Sequence, residues 1–169
     1  MDSRCLWGKK EFLRRVGIGE FLVSARPEEI LVTFALGSCI GVTMYDSDKR
    51  VGGMIHCKLP DSNVDSRYQN RKQAMYVDTG IPLLVERILK AGGDLRRLIV
   101  KLAGASISPQ RNDLFRIGER NYEVVKQLLA SMNLPLHAEE CGGNIPRTLY
   151  LYMADGRTLI RSQRDLREL

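Results

Sequence analysis

Residues 37–57 read Gly-Ser-Cys-Ile-Gly-Val-Thr-Met-Tyr-Asp-Ser-Asp-Lys-Arg-Val-Gly-Gly-Met-Ile-His-Cys. Two apolar runs with β-branched residues, 40–45 and 51–57, flank a turn signal at 46–49. This pattern predicts a hairpin of two antiparallel strands that returns the chain to its starting point. We therefore expect Cys39 and His56 to face each other across adjacent strands.

A thiol beside an imidazole is the minimum requirement for a cysteine nucleophile, because the base raises the thiolate fraction at neutral pH. Taken singly, a free cysteine is more often a small buried hydrophobe, and a strand histidine is more often a core residue. Three features favour the functional interpretation of Cys39 and His56: the strand return, the preceding glycine, and the presence of only 2 histidines in the chain. Gly37 and Ser38 let the backbone approach closely, so amides near Cys39 are candidate oxyanion donors.

The remaining pattern predicts an α+β fold with many strands and two main helices. The first helix begins near Asp78, with Pro82 in its first turn or at a kink, and ends at Gly92-Gly93. The second spans about 117–132. Further strands are predicted at 21–23, 30–34, 98–102, 136–139, 148–153 and 157–160. A chain of 169 residues with 44% hydrophobic content forms one domain. We assign 1–15 to an N-terminal arm, 16–162 to the domain and 163–169 to a tail, with 61–71 as a polar rim or lid loop.

Composition narrows the class of protein. A net charge of +6 indicates an anionic partner or a basic surface, but the dispersed arginines lack the interleaved aromatic residues of a nucleic-acid binder. No segment approaches the roughly 18 apolar residues of a membrane span, and the N-terminus lacks a signal peptide, so we expect a cytoplasmic protein without membrane insertion.

The 4 cysteines lack a C-x-x-C spacing, so free thiols are expected. A zinc site built from Cys39, His56, Cys57 and Cys141 is disfavoured, because neighbours on a strand point to opposite faces. We expect no metal and no cofactor.

Several segments together carry a resemblance to a known family. They read Thr-Phe-Ala-Leu-Gly-Ser-Cys-Ile-Gly-Val at 33–42, Gly-Met-Ile-His-Cys-Lys-Leu-Pro at 53–60, Tyr-Val-Asp at 76–78, Lys-Leu-Ala-Gly-Ala-Ser at 101–106, Ile-Gly-Glu-Arg-Asn at 117–121, and Gly-Gly-Asn at 142–144 with Arg147. Between about residues 17 and 160 the chain resembles the CheD family of chemoreceptor glutamine deamidases. The resemblance implies a layered α/β/β sandwich of mixed sheets.

The resemblance also implies roles for residues and partners. Cys39 would be the nucleophile, His56 the base, and Thr33 the residue that orients the histidine. From the residues themselves, we expect Ser106 and Asn121 to support glycine-rich loops near the site, and Ser106 is a further candidate for contact with the substrate or oxyanion. The implied substrate is the cytoplasmic domain of a chemoreceptor (methyl-accepting chemotaxis protein), and the activity is that of a protein-glutamine glutaminase. An implied partner is the phosphatase CheC, which links the family to the response regulator CheY.

Departures from the family pattern concern the rim of the site. Ala103 stands where relatives usually have glycine, Glu140-Cys141 where they often have Asp-Thr, and Cys57-Lys58 where they commonly have a large apolar pair. None of them replaces Thr33, Cys39 or His56. They bear on substrate or partner preference.

Two other functions stay open from the sequence. One is a regulatory binding module that activates a CheC-type phosphatase of phosphorylated CheY, with catalysis secondary. The other is a different thiol hydrolase, such as an amidase or a transglutaminase-like enzyme. The intact Thr33, Cys39 and His56 favour an enzyme.

Overall fold

The computed structural model describes residues 12–64, 72–107 and 116–169, which form ten strands and two α-helices. The strands are β1 Leu13–Arg15, β2 Phe21–Ser24, β3 Ile30–Leu36, β4 Ile40–Asp46, β5 Val51–Cys57, β6 Leu98–Gly104, β7 Leu136–Cys141, β8 Arg147–Tyr152, β9 Thr158–Ser162 and β10 Asp165–Glu168; the helices are α1 Val77–Lys90 and α2 Ile117–Ser131.

The strands form two five-stranded mixed sheets. Sheet 1 has the order β1-β3-β8-β9-β10, and sheet 2 has the order β2-β5-β4-β6-β7. Each sheet contains one parallel pair at an edge, β1 with β3 and β6 with β7, and its other pairs are antiparallel. The predicted hairpin is the β4–β5 pair at the centre of sheet 2, with the predicted bounds to within one residue.

Side-chain alternation on the central hairpin builds the layers. Ile40, Val42 and Met44 of β4 pack in one apolar core with residues of α1 and α2. Tyr45 of β4 packs in a second core that lies between the two sheets. Because successive strand residues point to opposite faces, sheet 2 separates the helices from sheet 1. The predicted single-domain α/β/β sandwich is confirmed.

Helix α1 ends just before Gly92-Gly93, as predicted, but its proline does not lie in the first helical turn, which was one of the two predicted placements. The helix ends at Lys90, Gly92 has a φ of 100°, and the Gly93 N–H donates to the Ile88 carbonyl at 3.0 Å. Pro82 lies inside the helix and not in its first turn, because α1 already begins at Val77. Within the described ranges, no helix is long and apolar enough to cross a membrane.

Two edge strands, β1 and β10, were not predicted. They are three and four residues long, and most of their side chains are exposed, so they lack the apolar alternation that marks a strand. β1 pairs with β3, and β10 pairs with β9. They fall within the stretches assigned to the arm and the tail; the division into arm, domain and tail stays a prediction.

The end of β4 is anchored by a buried carboxylate. Asp46 is 0% exposed and accepts hydrogen bonds from the Arg97 side chain at 2.9 and 3.1 Å. It also accepts from the backbone N–H groups of Lys49 and Asp94 at 3.2 and 2.8 Å. Burial raises the pKa of Asp46, but these hydrogen bonds outweigh it and lower the pKa to about 2. The carboxylate thereby ties the hairpin turn to the start of β6.

Candidate active site

A hydrogen bond between Thr33 and His56 spans the two sheets. Leu31 of β3 and Met54 of β5 both belong to the core between the sheets, so two residues farther along each strand, Thr33 and His56 enter the same space. The Thr33 Oγ1 atom lies 2.7 Å from His56 Nδ1. Both residues are almost fully buried, at 0% and 1% exposed. The sandwich therefore fixes one ring nitrogen of the imidazole.

Cys39 lies on the same face of sheet 2 as His56, but it is two residues away from Gly41, the direct cross-strand partner of His56. The β4–β5 register pairs Gly41 with His56 and Ile40 with Cys57. Cys39, two residues before Gly41, is a diagonal neighbour of His56, a relation that places residues roughly 7–8 Å apart. Cys39 is half-buried and packs against the core between the sheets. The structure brings Thr33, Cys39 and His56 to one end of that space.

The buried imidazole is poised as a neutral base. Burial lowers the pKa of His56 to about 4, so the ring is uncharged at neutral pH. Its Nε2 atom is buried and has no hydrogen-bond partner among the residues that the structure describes. When Nδ1 carries the hydrogen and donates it to Thr33, Nε2 holds a free lone pair. That tautomer can accept a proton.

The thiol is also neutral in the free protein. Burial raises the pKa of Cys39, while the charge of Lys58 and the backbone amide of Cys39 itself act in the opposite direction without cancelling the effect. From the sequence we expected the imidazole to raise the thiolate fraction. In the structure, burial instead favours the uncharged forms of Cys39 and His56. Any attack by the Cys39 sulfur on a substrate would therefore need proton transfer from the sulfur to the His56 nitrogen.

The loop before Cys39 supplies backbone donors. The Gly37 N–H donates to the Ala35 carbonyl at 2.9 Å, where Ala35 has a φ of 56° beside the irregularity that ends β3. The Gly37 amide is thus occupied. The amide N–H groups of Ser38 and Cys39 donate to no other residue in the described part of the chain, which leaves them as candidate oxyanion donors.

Ser106 supports the neighbouring loop. Its N–H donates to the Gly37 carbonyl at 2.8 Å, and its hydroxyl donates to the Ile145 carbonyl at 3.1 Å and accepts from Arg147 at 3.0 Å. Arg147, only 8% exposed, also pairs with Glu140 at 3.0 Å. This ion pair was not predicted, although Arg147 belongs to the segments that carry the family resemblance and Glu140 to those that depart from it.

Asn121 of α2 joins the two halves of the site. Its side-chain Nδ2 donates to the carbonyls of Ser38 and Lys58, at 2.9 and 3.1 Å. Ser38 precedes the cysteine, and Lys58 follows the histidine strand. From the sequence we expected only that Asn121 supports a loop near the site, because its partners are distant along the chain.

The other cysteines lie in different surroundings. Cys57 is fully buried in the core beneath the helices, on the opposite face from His56, and burial raises its pKa strongly. Burial also raises the pKa of Cys141 to about 12. Over residues 12–64, 72–107 and 116–169, no group of three or more His, Cys, Asp and Glu side chains is arranged to hold a metal ion.

Two exposed apolar side chains lie in segments close to Cys39 in the described part of the chain. Phe34 and Ile107 are 47% and 43% exposed, and both belong to segments next to the cysteine loop. The predicted rim loop 61–71 lies outside the described residues from position 65 onward. At its described start, the Ser62 N–H and hydroxyl donate to Asp78 at 3.0 and 2.7 Å.

The arrangement combines a half-buried cysteine, a buried histidine on the same sheet face, a threonine on one histidine nitrogen, and backbone amides without partners among the described residues. A thiol-dependent hydrolase would need this combination. The two-sheet sandwich with its helical layer presents that site at one end.

Comparison with known proteins identifies the family. Residues 58–162 match the family model described as CheD chemotactic sensory transduction. A Solibacter usitatus protein named "Probable chemoreceptor glutamine deamidase CheD" is 38% identical over 91% of this chain and 91% of its own length. Proteins of the same name from Caldanaerobacter subterraneus and Pyrococcus abyssi are each 41% identical, over 88% and 87% of this chain and 91% and 90% of theirs. The chain belongs to the CheD family.

Proposed function

We propose that this protein is a chemoreceptor glutamine deamidase, which converts glutamine side chains of a receptor's cytoplasmic domain to glutamate with release of ammonia. The observation that carries the proposal is the Thr33–His56 hydrogen bond on the sheet face that also holds Cys39. Relatives that match about nine-tenths of the chain are named for this activity.

The first half of the reaction forms a thioester. The Cys39 thiol gives its proton to His56 Nε2 as its sulfur attacks the glutamine carboxamide carbon. Charge develops on the carboxamide oxygen, where the Ser38 and Cys39 amides can donate. His56 then returns the proton to the amide nitrogen, and the C–N bond breaks to release ammonia.

The second half regenerates the thiol. Water replaces ammonia beside His56, which removes a proton as the water oxygen attacks the thioester carbonyl. The C–S bond breaks, the sulfur recovers its proton from His56, and glutamate leaves. Thr33 holds Nδ1 through both halves, so Nε2 alone exchanges protons.

The shape of the site fits a side chain presented by another protein. A cavity of about 440 Å³, bordered by Gly19, Phe21 and Leu83 among others, includes none of Thr33, Cys39 and His56 in its lining. The cysteine instead lies at a rim with the exposed Phe34 and Ile107. A glutamine on a receptor helix would approach Cys39 past these two side chains.

The same rim suggests a regulatory role beside catalysis. A CheC-type phosphatase that covered Phe34 and Ile107 would also cover Cys39, so the partner and the receptor would compete. The proposed place of action is the cytoplasm, where receptor adaptation helices lie.

The test is deamidation of a purified receptor cytoplasmic fragment, followed by peptide mass spectrometry. The wild-type chain should convert defined glutamines to glutamates. Cys39→Ala should abolish conversion, while Cys141→Ala, which removes another half-buried thiol, should retain it. No conversion by the wild type, or full activity of Cys39→Ala, would overturn the proposal.

A further inference from the structure

Asn121 is a buried polar residue whose contacts converge on the candidate active site. Its side chain is 0% exposed, and its amide group links the carbonyl before Cys39 to a carbonyl two residues after His56. The orientation of the side-chain amide follows from chemistry: both partners are carbonyls, which only accept, so the NH₂ group has to face them.

This orientation leaves the Asn121 Oδ1 atom buried without a hydrogen-bond partner among the described residues. An unsatisfied buried acceptor costs about 1–3 kcal/mol. Fold stability alone therefore gives a poor reason for an asparagine at this position. The two donated hydrogen bonds give a better one, since they act on the loop that carries the nucleophile.

Anchoring the Ser38 carbonyl fixes the peptide unit between Ser38 and Cys39. The described part of the chain has no cis peptide bond, and in a planar trans peptide the C=O and N–H bonds point in opposite directions. The carbonyl points to Asn121 on α2. The Cys39 N–H therefore points away from the helical layer, towards the face of sheet 2 that holds His56.

We propose that Asn121 is a positioning residue: it turns the Ser38–Cys39 peptide so that the Cys39 N–H donates to the oxyanion formed when the sulfur attacks a carbonyl carbon. The role deepens the proposed deamidase function and rests on it for the natural substrate. This role predicts that Asn121 affects acyl transfer to Cys39 and not alkylation of Cys39, because acyl transfer forms an oxyanion and alkylation does not.

The experiment compares these two reactions at Cys39 of the full chain. With p-nitrophenyl acetate, an S–C bond forms through a tetrahedral oxyanion and p-nitrophenolate leaves. With iodoacetamide, an S–C bond forms directly and iodide leaves. Both rates are followed by mass spectrometry of the Cys39 peptide, for wild type, Asn121→Leu and Asn121→Ser. Two variants are used because leucine keeps the volume while serine avoids overpacking.

A control on the same helix separates positioning from loss of stability. Val125 lies one turn after Asn121, is 0% exposed, and packs in the core beneath the helices. Val125→Ala should lower the melting temperature and leave both rates at Cys39 unchanged. In the Asn121 variants, the acetylation rate of Cys39 should fall about 10-fold to 100-fold relative to the wild type. This loss is smaller than that expected from deleting an oxyanion donor, because the amide is displaced but still present. The alkylation rate should stay within about twofold of the wild type.

Each outcome decides the proposal. An equal fall in both rates, or no fall in acetylation, in a folded Asn121 variant would overturn it, as would wild-type acetylation no faster than that of a cysteine peptide. Receptor deamidation is measured in parallel, where kcat should fall with KM retained. If acetylation depends on Asn121 as expected but the wild-type chain leaves receptor glutamines unchanged, the deamidase function is refuted and the positioning role of Asn121 is retained.

Discussion

Gly41 of β4 lies directly opposite His56 of β5, and sheet 1 fills the space that a side chain at Gly41 would occupy. A Cβ atom there would lie 2.8 Å from Leu36 Cδ1 and 3.2 Å from Leu149 Cδ2. Both leucines are 0% exposed, so neither has room to retreat. The missing side chain lets the two sheets close next to the imidazole.

Gly41→Ala should therefore destabilise the protein by about 1–3 kcal/mol through overpacking. Urea unfolding gives the free energy. Gly37→Ala is the matched control, because a Cβ at Gly37 meets no atom of the described residues within 4 Å. Its free energy of unfolding should stay within about 0.5 kcal/mol of wild type. Equal stability of the two variants would contradict the close packing around His56.

Thr33→Val should lower the kcat of deamidation with little change in KM. Valine keeps the shape but removes the hydroxyl on His56 Nδ1, and one such hydrogen bond is worth about 1 kcal/mol, or about fivefold in rate. Thr43→Val is the control: Thr43 is also buried on β4, but no role in the reaction is assigned to it, so turnover should be unchanged. A Thr33→Val enzyme with wild-type kcat would show that the histidine needs no orienting hydroxyl.

Acidification should destabilise the wild type through His56. The unfolded histidine titrates near 6.5 and the folded one at about 4. Between these values the unfolded state binds the proton and the folded state does not, so this contribution to stability is complete above pH 6.5 and is lost as the pH falls towards 4. The loss is at most about 3 kcal/mol.

The measurement is the free energy of unfolding in urea at several pH values between 7 and 4.5. Carboxylate titrations affect the wild type and the variant alike, so the difference between the two isolates the contribution of His56. His56→Gln cannot be protonated and should lose less stability over the interval. Identical pH dependence of wild type and His56→Gln would show that the folded histidine titrates normally.

The rate of Cys39 alkylation in the free protein should continue to rise with pH above the pKa range of ordinary thiols. Burial raises the pKa of this thiol, and iodoacetamide reacts with the thiolate. The rate at the Cys39 peptide, measured from pH 6 to 10, should show no plateau near neutrality. A plateau at pH 7, lost in His56→Gln, would instead reveal a resting thiolate–imidazolium pair.

Deamidation of a receptor fragment should slow as salt is added. The chain carries a net charge of +6, and its proposed substrate is an acidic helix, so encounter is steered electrostatically. Raising the ionic strength from about 0.01 M to 0.15 M shortens the Debye length from about 30 Å to 8 Å and should lower kcat/KM. Acetylation of Cys39 by neutral p-nitrophenyl acetate serves as the salt-insensitive control; equal responses of both reactions would remove the steering claim.

The elements with strong local patterns were predictable from the sequence. Val51–Cys57 was predicted with its observed bounds, and α2 ended within one residue of its prediction, because apolar periodicity and turn residues mark both. β1 and β10 escaped because their pairing depends on β3 and β9 and not on their own composition. Tertiary pairing at a sheet edge leaves little trace in three or four polar residues.

The site was predictable only in part, for a related reason. Hairpin spacing brings Cys39 and His56 together locally, but Thr33 reaches His56 by crossing from the other sheet, and only the family resemblance pointed to it. Asn121 did leave a signal: it shares a helix face with Val125, so a polar residue occupied a core position. The protonation states depend on burial depth, which no local pattern encodes.

Asp46 is the last residue of β4 and Cys39 immediately precedes the first, so the two lie at opposite ends of a strand that spans about 20 Å. The buried Asp46–Arg97 pair immobilises the end remote from the chemistry, and the turn beyond it, residues 47–50, is exposed throughout. A fluorescent dye or a surface tether attached at that turn would lie on an anchored part of the fold and leave the Cys39 end of the strand clear. The turn at residues 47–50 is therefore a suitable labelling position for single-molecule measurements of binding to a receptor fragment.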